Sequence, residues 1–165
     1  MWNKKSKITG IVLAIVAIGQ LILAVVLFNP DGNVLVINLG WGAMMLSALF
    51  GWLPVFIFRR KGEVKGRGYI HTSVLVDSGV YAVVRHPQYL AGVLISIALP
   101  MISQHWLVVL PGIAAVVLYY LNTYDEEKGC LDKFDGDYQR YREKVPRMNF
   151  ILGTIRWAVR SIRER

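Results

Sequence analysis

The sequence predicts an all-α, polytopic membrane protein with four transmembrane helices, a helical hairpin formed by spans 3 and 4, and a cytoplasmic C-terminal amphipathic helix. Of the 165 residues, 55% are hydrophobic and only 18% are charged, and the mean hydropathy is +0.42. The apolar residues form blocks of roughly the 20 residues that a spanning helix needs. The basic residues are unevenly divided among the connections between those blocks. We therefore predict a single membrane domain over residues 1–165.

The first two predicted spans are long and uncharged. Residues 8–28 and 34–58 contain no Asp, Glu, Lys or Arg, and a turn cluster over residues 29–33 separates them. A cytoplasmic segment is predicted at 59–86, because three basic residues open it and its later part is too polar to span. We expect that later part to pack against the membrane face.

The third and fourth predicted spans are short and closely joined. They cover residues 87–103 and 106–124, and only Gln104 and His105 lie between them. Pro87 suits the first turn of a helix, where its missing N–H is not needed. The short connection predicts a tight helical hairpin.

The remaining segment, residues 125–165, is predicted to be a charged cytoplasmic tail with an amphipathic helix near its end. Five apolar residues share one face at helical spacing: Ile151, Ile155, Ala158, Val159 and Ile162. Arginines occupy another face, which is typical of a helix lying on a membrane surface. Packing of this helix on the protein itself explains the pattern equally well.

The distribution of basic residues predicts the orientation. Of the 19 Lys and Arg residues, none falls in the loops 29–33 and 104–105. The positive-inside rule then places both termini and the segment 59–86 in the cytoplasm of a multi-pass cell-membrane protein. The net charge of +8 is explained by orientation and attraction to anionic lipid, and no nucleic-acid motif is present.

A group of polar residues is expected where the predicted hairpin begins and ends. Arg85, His86 and Tyr89 open the third span, whereas Glu126 and Glu127 close the fourth. Each has an ordinary structural explanation alone, but together at the membrane boundary they favour a functional site. Carboxylates can bind ribose hydroxyls or an amino group, and a helix N-terminus beside an arginine can hold a carboxylate. S-adenosylmethionine carries all of these groups, so we expect it as the cofactor, and we expect no metal.

The motif around these residues resembles a known family. Residues 79–92 read Gly-Val-Tyr-Ala-Val-Val-Arg-His-Pro-Gln-Tyr-Leu-Ala-Gly. This run resembles the signature of isoprenylcysteine carboxyl methyltransferases, which phospholipid N-methyltransferases share more loosely. The order and spacing fit over about residues 70–148, including the Glu126-Glu127 pair and Pro146.

The resemblance implies a membrane-embedded methyltransferase that uses S-adenosylmethionine and releases S-adenosylhomocysteine. Carried over by position, the cofactor-binding residues are Ser73, Val74, Leu75, Val76, Tyr81, His86, Pro87, Gln88, Tyr89 and Glu126. We expect Arg85 and Glu127 to be the catalytic residues, with Glu127 or a tyrosine assisting an amine acceptor. Tyr138 and Tyr141 are expected in a cytoplasmic cover over the cofactor.

One position departs from the prenylcysteine enzymes that the motif resembles. Those enzymes carry an Arg four residues before the first of the two glutamates, where it pairs with the substrate carboxylate. Here the expected substrate-binding residue is Asn122, a neutral amide that offers no charge-assisted pairing. The departure disfavours carboxyl methylation.

The predicted function is therefore methyl transfer from S-adenosylmethionine to a lipophilic acceptor that enters from the bilayer at the cytoplasmic face. Two alternatives stay open. One is a related enzyme for a small soluble acceptor such as a thiol, and the other is a non-catalytic membrane scaffold that keeps the fold. The identity of the acceptor and the oligomeric state do not follow from the sequence.

Overall fold

The computed structural model describes residues 4–61 and 74–163, and these residues are helical over most of their length. The α-helices are α1 (Lys4–Val26), α2 (Val34–Lys61), α3 (Pro87–Ser103), α4 (Trp106–Lys144) and α5 (Phe150–Arg163), and a short 3₁₀ helix covers Gly79–Ala82. Neither described range contains a β-strand, which confirms the all-α prediction.

Three helices are long and apolar enough to cross a membrane by length and composition. They are Ile8–Val26 within α1, Val34–Arg60 within α2, and α4, and an 18-residue stretch of each has a mean hydropathy of 2.6, 1.8 and 1.7. α3 is also apolar but has only 17 residues. The apolar helices indicate a membrane protein, and the count of four spans stays a prediction.

The fourth helix differs from its prediction. We expected Glu126 and Glu127 to close it, but α4 continues to Lys144. Its apolar run does end at Tyr124, yet glutamate and lysine are good helix formers and prolong the helix beyond that run. Asp135 interrupts the regular geometry, with φ 40° and ψ −120°.

The chain divides into two compact units. Unit 1 comprises residues 1–49 and 89–126, and unit 2 comprises residues 50–88 and 127–165. α2, α3 and α4 each pass from one unit into the other along the chain.

Unit 1 is held together by apolar packing and by neutral hydrogen bonds. Ala24, Leu99 and Val108 form its buried cluster. Beside them the Gln20 side chain, 1% exposed, donates to the carbonyl of Ser96 at 2.8 Å and to that of Val108 at 3.3 Å. A buried amide is retained without penalty when such bonds replace those to water.

The two loops without basic residues are joined within unit 1. Gln104 Oε1 accepts from the backbone N–H of Asn33 at 3.0 Å, and Gln104 Nε2 donates to the Asn33 carbonyl at 2.8 Å. The Asn29 backbone N–H donates to the Ser103 carbonyl at 3.1 Å. These bonds satisfy backbone groups that the helix ends leave unpaired.

Unit 2 has a core made largely by the second part of α4. Tyr138, Tyr141 and Val145 are buried in one cluster, and partly buried residues pack against them: Leu75, Cys130, Leu131 and Phe134. The charged tail is therefore a folded element, because its tyrosines bury a large apolar area each. This packing positions the residues described next.

Candidate active site

The segment before α3 is fixed by the segment that follows α4. The backbone N–H of Arg85 donates to the Pro146 carbonyl, and that of His86 donates to the Arg147 carbonyl, both at 3.1 Å. Pro87, the first residue of α3, is buried. The backbone of residues 85–86 is therefore fixed by the segment after α4, independently of the side-chain contacts.

The 3₁₀ helix that precedes this segment is also covered by the tail. The Tyr141 hydroxyl donates to the Tyr81 carbonyl at 2.7 Å, and Arg160 Nη2 donates to the Ala82 carbonyl at 2.9 Å. α5 approaches so closely at Gly153 that an added Cβ would lie 1.9 Å from the Val83 carbonyl oxygen. Three separate contacts thus dock the tail on residues 81–83.

Glu127 is the centre of a buried charged cluster, which comprises Arg85, His86, Glu127 and Arg147. His86 Nε2 lies 3.1 Å from Glu127 Oε1, and Arg85 Nη1 lies 2.9 Å from the same oxygen. Arg147 binds both oxygens, with Nε to Oε1 at 3.0 Å and Nη2 to Oε2 at 2.6 Å. The bidentate pairing is the strong form of an arginine–carboxylate contact.

The charged cluster keeps Glu127 ionised. Burial raises the pKa of Glu127, but hydrogen bonds from His86 and Arg147 and the charge of Arg85 lower it to about 2. The residue lies beyond the continuous apolar run of α4, which ends at Tyr124. A carboxylate with so low a pKa is a poor proton acceptor near neutral pH, so the geometry favours a positioning role over that of a base.

Arg85 retains hydrogen-bonding capacity. Its side chain is 9% exposed, and its Nη1 forms an ion pair with Glu127. Neither its Nε nor its Nη1 has a hydrogen-bond partner among the described residues. Two guanidinium groups face one carboxylate, so the charged cluster carries excess positive charge. Buried donors without a hydrogen-bond partner are rare in proteins, so Nε and Nη1 of Arg85 can still bind an acceptor.

A cavity of about 870 Å³ lies in the same unit. The segment 74–82, α4 and α5 all contribute to its lining: Val74, Leu75, Asp77, Ala82, Phe134, Asp137, Arg140, Tyr141, Lys144, Val145, Trp157, Arg160 and Ser161. The volume is within the range of roughly 300–1,000 Å³ that small-molecule sites occupy. The lining includes aromatic, aliphatic and charged side chains, which suits a ligand with both an apolar and a polar part.

The predicted cofactor residues are distributed over both units. In unit 2, Val74 and Leu75 line the cavity, Val76, Tyr81, His86 and Pro87 are buried, and Gln88 is exposed. Ser73 lies outside the described residues. In unit 1, Tyr89 packs edge-on against Tyr119, with ring centroids 6.4 Å apart. The predicted substrate-binding residue Asn122 is also in unit 1 and is half-buried.

The two adjacent glutamates differ sharply. Glu127 is 5% exposed and belongs to the charged cluster, whereas Glu126 is exposed and is the last residue of unit 1. Adjacent residues on an α-helix point about 100° apart, so one helix cannot aim both carboxylates at the same group. The structure brings Arg85, His86 and Glu127 together, as expected of residues at the two ends of the predicted hairpin.

Sequence reasoning missed Arg147. It is one of ten basic residues that follow the predicted fourth span, and nothing in its local pattern separates it from the other nine. Its position directly after Pro146, inside the region of family resemblance, is the one available signal. Its role depends on the return of the chain after α4, which only the fold reveals.

These observations define a class of protein. Its described residues form a helical membrane protein, in which unit 2 holds the buried charged cluster and a ligand-sized cavity. A family model described as phospholipid methyltransferase matches residues 38–136, which is more than half of the chain. The chain belongs to the phospholipid methyltransferase family and is a membrane methyltransferase. No curated protein matches the chain, and no solved structure matches it.

Proposed function

We propose that this protein transfers a methyl group from S-adenosylmethionine to a lipophilic acceptor at the cytoplasmic face of the cell membrane. Family membership supports methyl transfer in general. When bound, S-adenosylmethionine supplies a methyl group on an electrophilic sulfonium. The cofactor binds in unit 2, and the acceptor reaches the enzyme from the bilayer.

One observation carries the cofactor assignment: the buried guanidinium of Arg85, with Nε and Nη1 left without hydrogen-bond partners. S-adenosylmethionine has a carboxylate, which is the planar anion that a guanidinium binds best. The cofactor also needs room for a nucleoside, and the cavity of about 870 Å³ offers aromatic, aliphatic and acidic lining. The residues present therefore fit the cofactor.

In this proposal each residue of the charged cluster has a separate task. Arg85 binds the carboxylate of the cofactor. Glu127, together with Arg147, holds the Arg85 and His86 side chains in place, because it contacts both of them. The contacts of Tyr141 and Arg160 with residues 81–82 keep the tail closed over the cavity and exclude water. Alignment and water exclusion are the main demands of a single displacement reaction.

The lipophilic acceptor is supported by the surface of the apolar helices. Only 11% of the apolar 18-residue stretch of α1, and of that of α2, is buried. Large side chains such as Ile15, Met45 and Trp52 are more than 60% exposed. Exposed apolar surface of this extent indicates contact with lipid. A lipid acceptor dissolved in the same bilayer then reaches the enzyme without passing through water.

Binding of S-adenosylhomocysteine tests the cofactor assignment. We expect Arg85→Gln to weaken binding by about 10-fold to 100-fold in calorimetry on detergent-solubilised protein, since a charge-assisted bond contributes about 1.5–3 kcal/mol. The matched control is Arg142→Gln, which removes an exposed arginine from α4 and should leave affinity unchanged. Equal affinity of the Arg85 variant and the unmodified protein would refute the assignment.

The acceptor is tested separately by incubating the protein in vesicles with S-adenosylmethionine carrying a labelled methyl group and a total lipid extract. We expect label in the organic phase. Label found only in water-soluble products, such as a methylated thiol, would replace the lipophilic acceptor with a small soluble one. Cofactor binding without any labelled product would favour a scaffold.

A further inference from the structure

α5 has three distinct faces. At about 100° per residue, Gly153, Trp157 and Arg160 fall on one side of the helix. This side is docked on unit 2, because Gly153 abuts the Val83 carbonyl, Arg160 binds the Ala82 carbonyl, and Trp157 lines the cavity. The docked face accounts for only part of the helix surface.

The second face is apolar and uncovered. Ile151, Ile155, Val159 and Ile162 are 63%, 57%, 59% and 76% exposed. These four residues recur every three or four positions and form one stripe, within an arc of roughly 80°. A packed helix in a water-soluble protein would turn such a stripe inward, so packing on the described part of the chain does not explain it.

The third face is basic and borders the apolar stripe. Arg156 and Arg163 are exposed and lie along one edge of it, and α5 contains no acidic residue. An apolar stripe with arginines at its edge matches the boundary of a bilayer, where side chains enter the acyl region and guanidinium groups meet phosphates. A protein partner that matched the same pattern would need its own apolar groove with an acidic rim.

We infer that α5 is an interfacial helix whose isoleucine stripe lies in an anionic lipid surface. A lipid surface is present wherever this chain is inserted, because three of its helices are long and apolar enough to span a membrane. The same helix lines the cavity through Trp157 and Ser161, so the lipid surface borders the element that covers the candidate site. The inference does not depend on which methyl acceptor the enzyme uses.

The test measures what surrounds a label on each face of α5. Cys130 is replaced by Ala to remove the one native thiol, and Ile155→Cys or Thr154→Cys is then labelled with an environment-sensitive fluorophore. Thr154 is the matched control, since it is exposed but lies off the stripe. Ile151→Cys repeats the stripe measurement in case the first variant misfolds. The full chain is reconstituted in vesicles of phosphatidylcholine with or without phosphatidylglycerol.

We expect a quencher attached to the lipid acyl chain to quench the stripe labels at least about twofold more than the Thr154 label, since such helices sink about 5–10 Å into the interface. Acrylamide in the water should show the reverse order. Phosphatidylglycerol should increase the difference, and Arg156→Gln with Arg163→Gln should abolish that increase. Equal acrylamide quenching at both positions would overturn the inference, as would protection of the stripe label from both quenchers, which would indicate a protein partner or second copy.

Discussion

Units 1 and 2 bury polar groups in opposite ways. In unit 1 the buried polar side chains are neutral, and Gln20, Ser47 and Ser96 each donate to a backbone carbonyl. In unit 2 the buried Glu127 carboxylate is ionised, and it contacts Arg85, His86 and Arg147. Neutral groups bonded to backbone join helices at low cost, whereas buried charges carry a desolvation penalty of several kcal/mol. The difference supports our proposal that unit 2 holds the cofactor, because a costly arrangement is usually retained for its chemistry.

The largest difference in stability is expected between substitutions of the two adjacent glutamates. Glu127→Gln leaves Arg85 and Arg147 without their counter-charge, so we expect a loss of about 3–5 kcal/mol of stability. For a protein of this size the thermal midpoint in detergent should fall by on the order of 10 °C. Glu126→Gln is the matched control at an exposed position and should change stability by less than about 0.5 kcal/mol. Equal losses of stability in the two variants would show that the charged cluster does not stabilise the fold through Glu127.

The same pair also separates stability from cofactor binding. The family resemblance assigns a cofactor contact to Glu126, so we expect Glu126→Gln to weaken S-adenosylhomocysteine binding while the thermal midpoint stays unchanged. Glu127→Gln should weaken both. Unchanged affinity in the Glu126 variant, measured by calorimetry, would remove Glu126 from the cofactor site and leave the charged cluster as its polar part.

Acid titration of the same carboxylate should produce a smaller, graded loss. Folding lowers the pKa of Glu127 from 4.5 to about 2, so the folded state favours its ionised form. The stabilisation is complete above the unfolded pKa and is lost as the pH falls from about 4.5 towards 2. We expect chemical denaturation of the unmodified protein to show this slope and Glu127→Gln to lack that part of it. Identical slopes would show that the charged cluster does not shift the carboxyl pKa.

A third change tests how the tail is docked. Gly153→Ala places a Cβ 1.9 Å from the Val83 carbonyl oxygen, so α5 must shift. Such overpacking costs about 1–3 kcal/mol, and we expect weaker cofactor binding because α5 lines the cavity. Gly129→Ala is the control: it has open space around it in α4 and should be neutral or stabilising by up to about 1 kcal/mol. Unimpaired binding in the Gly153 variant would show that the cover is not part of the site.

The smallest expected effect is in unit 1. Gln20→Leu removes the hydrogen bonds to the Ser96 and Val108 carbonyls, and we expect a loss of about 1 kcal/mol in the free energy of unfolding. Cofactor affinity should not change, because no ligand group is assigned to unit 1 at this position. Gln139→Leu, at an exposed position, serves as the control for the substitution itself. A large loss of affinity in the Gln20 variant would contradict the division of roles.

The helices of the apolar blocks were predictable because their signal is local. Residues 87–103 were expected as a helix, and α3 has those bounds, since Pro87 begins it and Gln104 has a positive φ of 49° just after it. The continuation of α4 beyond Tyr124 was missed, because the loss of hydropathy was taken for the end of the helix. Tyr138 and Tyr141 stabilise that continuation through contacts distant in sequence.

Only the part of the site that lies in the sequence motif and at the ends of the predicted hairpin could be predicted. The proximity of His86 and Glu127 followed from the hairpin, because short connections bring helix ends together. The choice between Glu126 and Glu127 did not follow, since it depends on the rotation of α4 about its axis. Arg147 could not be singled out for a similar reason: its pairing requires the turn after Lys144 to return the chain to Glu127.

Photo-crosslinking tests the central claim, that unit 2 holds the cofactor, most directly. Radiolabelled S-adenosylmethionine is irradiated with the protein in vesicles, and the labelled peptides are identified by mass spectrometry. We predict label within residues 74–86 or 134–161, with excess S-adenosylhomocysteine abolishing it. Label confined to residues 8–49 or 90–124, under the same competition, would contradict the account.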